Sequence, residues 1–222
     1  MTKKNITRCS WSLVDKIDIR YHDKEWGVPV HSDRKQFEFL VLEGMQAGLS
    51  WRTILNKRKN FQKAFDNFDF NKVAQYDKNK IKSLLRDEGI IRNKLKIESA
   101  VTNAKAFLMV RKEFGTFNRY IWSFVKGRPI INHHKRLKDV PARTTLSDLI
   151  SEDLKKRGFR FVGSTIVYAH MQATGMVNDH TVSCFRHEEI KNMVKKNKKD
   201  FEYSFDDKMQ IRISSRKTKR KS

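Results

Sequence analysis

Long apolar runs are missing from this chain. No stretch approaches the ~20 residues that a membrane-spanning helix requires. The amino-terminal MTKKNITRCSW has no apolar centre of the kind a secretory signal carries, so a soluble cytoplasmic protein is expected. Cysteine is scarce: two residues in 222 suit metal ligands or thiols in a reducing compartment better than a disulfide framework. Nine glycines and three prolines are few for a fold of many short strands. No segment of useful length alternates apolar and polar residues, and no internal repeat is visible. Acidic side chains are also outnumbered, 25 against 48 lysines and arginines.

What is present follows from that imbalance. The net charge is +23, and an excess of this size repels itself in the compact state and attracts polyanions. From Ile190 to Ser222 there are 12 lysines and arginines against 4 acids, a net of +8, which leaves +15 for the rest of the chain. Nucleic acid is therefore the favoured partner, ahead of a membrane surface. The bland alternative is a lysine-rich chain that merely solvates its surface. A hydrophobic content of 38%, with 15 Phe and 4 Trp, is enough for one sizeable core. We expect a compact helical domain over residues 1–188 and a basic extension over 189–222.

Helix signals run through the expected domain. Asp33 with Gln36 reads as a capping box opening a helix through Phe37, Leu40, Val41 and Gly44. Ser50 suits the cap of a second helix with Ile54, Leu55, Phe61 and Phe65 inward. Asp77 caps a short helix bearing Ile81, Leu84 and Leu85, and a long one starts near Asn93 with Ile97, Val101, Ala104 and Leu108. FNRYIWSFV is another. After a basic, irregular stretch from Lys126 to Arg143, Thr145 with Asp148 marks a helix through Leu154. Ser164 opens one more, which Gly175 should end. The fold class is all-α.

Three features carry chemistry. In LEGMQAGLSW, Glu43 follows Phe39 by four residues and Leu40 by three, so a carboxylate shares their apolar face. Buried alone it would cost several kcal/mol or take up a proton, so a partner is required, either inside the fold or in a ligand. In LLRDEGIIRNK, a short helix, a turn at Gly89 and a longer helix make a helix-hairpin-helix candidate. Such a turn can offer backbone N–H groups to a phosphate, with Arg92, Lys94 and Lys96 beside it. Finally, Cys9 and His22 lie near one end of the domain, and His180 and Cys184, spaced as neighbours on a helical turn, near the other. A Cys2His2 set suits tetrahedral zinc with no position open for water, hence a structural site. His31, His133, His134 and His187 have no comparable partner and are expected at the surface or in loops.

CSW at Cys9, YHDKEWGVP from Tyr21, LEGMQAGLSW, GIIRNKLKI from Gly89, WSFV from Trp122 and GFRFVGSTIVYAHMQATGMVNDH, ending at His180, resemble the type I DNA-3-methyladenine glycosylases. The resemblance runs in order from about Thr7 to Cys184. It implies a helix-hairpin-helix DNA repair enzyme with a structural zinc, one per chain, on Cys9, His22, His180 and Cys184. It implies a base pocket of Glu43, Tyr21 and Trp51, with Trp11 and Trp26 as further walls. Adenine methylated at N3 is a delocalised cation, which a carboxylate and aromatic faces favour. Leu49, between Gly48 and Ser50, is suited to fill the gap that an extruded nucleotide leaves. Gly48, Gly89, Ile91, Arg92 and Lys96 are the other expected DNA contacts. Trp122 reads more readily as core.

The expected activity is hydrolysis of the N-glycosidic bond of 3-methyladenine in double-stranded chromosomal DNA by a monomer, leaving an abasic site. A rival class is a catalytically silent, zinc-containing helical module that binds damaged or structured DNA. A weaker third is a basic RNA-associated module driven by the tail. Ala169 and His170 depart from the family pattern, in which many relatives carry a small polar residue here. If the basic extension neutralises phosphates, its removal should flatten the slope of log K against log salt by roughly 0.9 for each phosphate it had neutralised. Equal slopes for the intact and shortened chains would make it a bystander.

Overall fold

A computed structural model describes residues 6–196. This part of the chain is built from ten helices: α1 (Lys16–Lys24), α2 (Asp33–Gln46), α3 (Trp51–Ala64), α4 (Phe70–Val73), α5 (Lys78–Arg86), α6 (Lys94–Phe114), α7 (Phe117–Ser123), α8 (Thr145–Lys156), α9 (Ser164–Ala173) and α10 (Phe185–Lys196). The all-α expectation is met but for one short parallel bridge, in which Ile130 and Ile131 pair with Val177 and Asn178. Two residues are too few to show alternation in the sequence, so the bridge left no pattern to read.

Helix α2 is the axis of the molecule. Every residue from Gln36 to Met45 is buried, because α3, α6, α7 and α9 all pack on it. A helix buried on all sides has no polar stripe, which is why Glu43 looked like an interruption of a helix that in fact runs on to Gln46. Its aromatic neighbours interlock: Phe107 stacks on Phe117 with centroids 4.2 Å apart, and Phe37 meets Phe107 edge-on.

Several starts fall where expected. The side chains of Ser50, Asp77 and Asn93 accept the backbone N–H groups of Thr53, Lys80 and Lys96. Two starts move by one residue. Ser32, not Asp33, caps α2, and Thr144, not Thr145, caps α8, where it forms a capping box with Ser147. Asp33 does its capping elsewhere: its carboxylate accepts from Phe117 N and Asn118 N at the start of α7 and pairs with Arg111 on α6.

The two ends of the described chain meet. Gly27 N donates to Gln172 O, Val30 N to Thr174 O, and Phe185 N to Thr7 O. Gly175 ends α9 at φ +69°, and a Cβ there would lie 2.4 Å from the carbonyl carbon of Val28. Only glycine lets these two backbones pass so closely.

Helix α10 crosses the expected boundary at 188/189 and buries Ile190 completely, so the folded part continues to Lys196. The rest of the expected extension lies outside the described residues. Ile190→Ala should therefore cost about 2–4 kcal/mol in a denaturation experiment. A variant that unfolds with wild-type stability would contradict the packing of α10 into the domain.

Candidate base-binding site and metal centre

The carboxylate of Glu43 is 2% exposed and has a protein partner that its local sequence did not reveal. Its Oε2 lies 2.9 Å from Nδ1 of His170 on α9. The other ring nitrogen, Nε2, lies 2.8 Å from Oε1 of Gln36, which sits nearer the start of α2. Gln36 is oriented in turn, because its amide NH2 donates to Val30 O at 2.8 Å. Burial pushes the Glu43 carboxyl up from its usual range, and the charge and hydrogen bond of His170 pull it part of the way back. The second oxygen, Oε1, is buried with no hydrogen-bond partner among the described residues.

Glu43 also lines a cavity of about 380 Å³. Tyr21 from α1, Trp51 at the start of α3, and Trp11 and Trp26 on either side of α1 form its aromatic walls. Tyr21 and Trp51 have ring centroids 5.5 Å apart, and Trp11 and Trp26 meet edge-on at 5.0 Å. All four aromatic residues expected at the pocket are thus brought to Glu43. Burial, with the Glu43 charge beside it, raises the Tyr21 phenol well above its normal value, so it stays a neutral hydroxyl. Behind Tyr21, Arg58 forks onto both oxygens of Glu25 and places Nε 2.7 Å from Glu38, tying the end of α1 to α2 and α3. Trp122 lies in the core, its Nε1 donating to Val30 O.

Of a further wall, only Ala169 is singled out by the sequence. Thr165, Tyr168, Ala169, Gln172 and Ala173 of α9 line it, with Leu137 and its neighbours from the basic stretch at the mouth. Their spacing is that of one helix face, a signal present in IVYAHMQ but concealed because α9 is apolar on its other side as well. Tyr168 and Gln172 both donate to Oδ2 of buried Asp179, at 2.6 and 2.8 Å. His187, expected at the surface, is buried instead, and its Nε2 donates to Asn132 O. His134 lies 3.3 Å from Asp179.

The expected DNA contacts divide. Leu49 is 41% exposed on the turn after α2, and Gly48 before it has φ +77°, a conformation that favours glycine. Arg92 is exposed and pairs with Glu88. Ile91 is half-buried. The Gly89 N–H donates to Asp87 Oδ1 at 2.8 Å, inside the turn between α5 and α6. Lys96 differs from expectation: it is only 7% exposed, and Nζ donates to the carbonyls of Met45 and Ala47. It closes the C-terminal end of α2 and holds the turn from which Leu49 projects.

Cys9, His22, His180 and Cys184 are all buried, and their ligand atoms lie within 4.8 Å of one another. The last two sit in a turn before α10 rather than on a helix, yet the turn still brings His180 Nδ1 to 3.5 Å from Cys184 Sγ. The chemistry of the donors tests the fit. His22 Nδ1 faces Asp23 Oδ1 at 2.8 Å, and His180 Nε2 faces Trp26 O at 3.0 Å, so each outer nitrogen carries the proton. The inner nitrogens, 3.2 Å apart, then aim lone pairs at each other and at two sulfurs. A cation between them turns that repulsion into coordination, and the outer partners are those that orient metal-bound imidazoles. The residues fit a four-coordinate metal ion. The His180 ring also packs against Trp26 at 4.6 Å, and His22 against Trp11 at 5.5 Å, so the cluster supports two pocket walls.

Fold and site together define a class: a helical protein whose aromatic-walled pocket, with a carboxylate in its lining, suits a flat heterocycle with N–H groups or positive charge. Comparisons with known proteins make it specific. Residues 11–187 match the methyladenine glycosylase family model. The chain is 46% identical over 177 residues to DNA-3-methyladenine glycosylase 1 of Escherichia coli (strain K12), covering 80% of this chain and 95% of that protein. It is likewise 46% identical to DNA-3-methyladenine glycosylase of Haemophilus influenzae (strain ATCC 51907 / DSM 11121 / KW20 / Rd), over 80% of this chain and 96% of that one. The structure of 3-methyladenine DNA glycosylase I from Staphylococcus aureus superposes with a TM-score of 0.79 at 31% identity, covering 82% and 97% of the two chains. A tyrosine-to-phenylalanine variant of a 3-methyladenine DNA glycosylase I in complex with 3-methyladenine gives 0.78, also at 31% identity, over 80% of this chain and 96% of that one. The chain belongs to the methyladenine glycosylase family.

If the cluster holds metal, the protein purified without chelator should carry about one ion per chain, and Cys184→Ala should lose it. Stability should then fall by about 3 kcal/mol or more, roughly 10 °C in Tm. A metal-free protein of full stability with two freely titrating thiols would overturn the assignment.

Proposed function

We propose that this protein is a monofunctional DNA-3-methyladenine glycosylase: it takes an N3-methylated adenine out of duplex DNA and hydrolyses its N-glycosidic bond. One observation carries the reading above all others. Glu43 stands on the wall of a cavity framed by four aromatic rings, and its Oε1 is a buried acceptor without a partner among the described residues. A buried acceptor left unmatched costs about 1–3 kcal/mol, and a base that donates an N–H to it recovers that cost. The aromatic faces add attraction for a cationic ring.

The chemistry follows from the lesion. The methylated base already carries positive charge, so it leaves as a neutral molecule while charge develops on the sugar. Water adds its oxygen to the anomeric carbon, one proton passes to solvent, and an abasic site remains. No acid has to protonate the leaving group, in contrast to ordinary glycoside hydrolysis. The pocket contributes by holding the extruded base more tightly as the bond breaks. In this reading Leu49 fills the vacated stack, and Gly48 lets the turn approach the duplex. The α5–α6 turn, with Gly89, Ile91 and Arg92, acts as a helix-hairpin-helix contact to the phosphate backbone. Lys96 serves from within by fixing the Leu49 turn. The Cys2His2 cluster takes zinc, which is structural: all four ligands come from the protein, so no position is left for substrate.

Glu43→Gln keeps the shape of the side chain and an oxygen acceptor but removes the charge. Single-turnover release of 3-methyladenine from methylated duplex DNA should fall by roughly 10- to 150-fold, the worth of one charge-assisted hydrogen bond. Binding to undamaged DNA should be unchanged. Undiminished release in a stably folded variant would remove Glu43 from the reaction, and no release by the wild type would refute the proposed activity.

A further inference from the structure

His170 is a buried imidazole that does not border the cavity, although its neighbours on α9, Ala169 and Ala173, do. Its protons can be counted from its surroundings. A carbonyl cannot donate, so Val30 O fixes the NH2 of Gln36 toward itself; the same carbonyl also receives Trp122 Nε1 at 2.9 Å. Gln36 Oε1 therefore faces His170 and needs a donor, which places a proton on Nε2. Across the ring, Nδ1 and Glu43 Oε2 are 2.9 Å apart, and two lone pairs would repel there, so a second proton lies between them. The pair has no net charge as a whole: it is either imidazolium with carboxylate or imidazole with carboxylic acid.

We propose that His170 is a positioning residue for the base pocket, one that engages Oε2 of Glu43 so that Oε1 alone faces the base, and that keeps Glu43 in the carboxylate form by holding the shared proton. The proposal rests on the function given above and assigns the device that sets its charge. A base presenting an N–H or positive charge at Oε1 draws the shared proton onto Nδ1, whereas a ligand with a bare lone pair there finds no donor. Without His170, Glu43 would be a lone buried carboxyl, 2% exposed, where burial favours the protonated, uncharged form.

Other groups near Glu43 do not supply the same control. Tyr21, facing it from α1, is a neutral phenol at all working pH values. Arg58 of α3 is engaged by Glu25 and Glu38. Lys96 of α6 is committed to the carbonyls at the end of α2. Asp179, behind Tyr168 and Gln172, is bound by both and by Asn132. Of these groups, only His170 touches the carboxylate.

The test compares wild type, His170→Phe and His170→Gln by single-turnover release of 3-methyladenine from methylated duplex DNA between pH 5.5 and 8. Histidine tautomers are read in parallel from 15N spectra of the intact wild-type protein. His170→Phe should move the acid limb of release upward by at least one pH unit, so that its deficit is larger at pH 6 than at pH 8 and approaches about tenfold for each unit moved where the pH lies below both limbs. His170→Gln retains a donor to Oε2 and should recover most of the release at pH 8. The spectra should show Nε2 protonated and Nδ1 hydrogen-bonded. An equal loss at every pH in both variants would reduce His170 to packing and overturn the proposal. So would a bare Nε2 in the spectra, which applies even if His170→Phe does not fold. A wild type that releases no base would refute the activity itself, while the tautomer result would still report on His170.

Discussion

A carboxylate buried in a helix that is packed on all sides is the constraint around which this molecule is arranged. Glu43 cannot turn to solvent from within α2, so the fold must bring a partner to it. It does so in a relay from Val30 through Gln36 and His170 to Oε2, using residues from the segment before α2, from α2 itself and from α9. That relay satisfies one oxygen and leaves the other. Under the proposed function, a ligand in the cavity that Glu43 lines completes the oxygen left without a partner among the described residues, and recognition uses that deficit.

The rest of the architecture brings walls to that oxygen. Trp11, Tyr21 and Trp26 come from the amino-terminal region, which has little core of its own and is held by its junction with the end of the domain. Gly175 permits the close backbone crossing at Val28, and the Cys2His2 cluster draws Cys9 and His22 against His180 and Cys184. Since His180 packs on Trp26 and His22 on Trp11, the cluster and pocket share side-chain contacts. Asp179 lies between them in sequence and space, one residue before His180, and fixes Tyr168 and Gln172 on the far wall.

Much of this was legible in the sequence, and the parts that were not share a cause. Ser50, Asp77 and Asn93 announced their helices because a cap acts on amides two or three residues away. Asp33 misled because its carboxylate caps a helix more than eighty residues later, a role no local window displays. The inward direction of Glu43 could be read from its spacing with Phe39 and Leu40. Its partner could not, since His170 lies 127 residues downstream and its neighbours on α9 are ordinary apolar residues. Lys96 resembled a surface cation because sequence gives charge but not the carbonyls of Met45 and Ala47 that hold it. The aromatic walls were assembled through a resemblance spanning the whole domain; the four cluster residues were proposed from type and spacing and then matched by that resemblance, although His180 and Cys184 meet on a turn rather than a helix.

The central claim is that Oε1 of Glu43 is reserved for the base while Oε2 stays with His170. A crystal structure of the protein with free 3-methyladenine tests it most directly. The ring should lie between Trp11, Tyr21 and Trp51, with a base N–H donor about 3 Å from Oε1 and the contact between Oε2 and His170 intact. A base bound elsewhere in the cavity, or one that displaces His170 to reach Oε2, would contradict it.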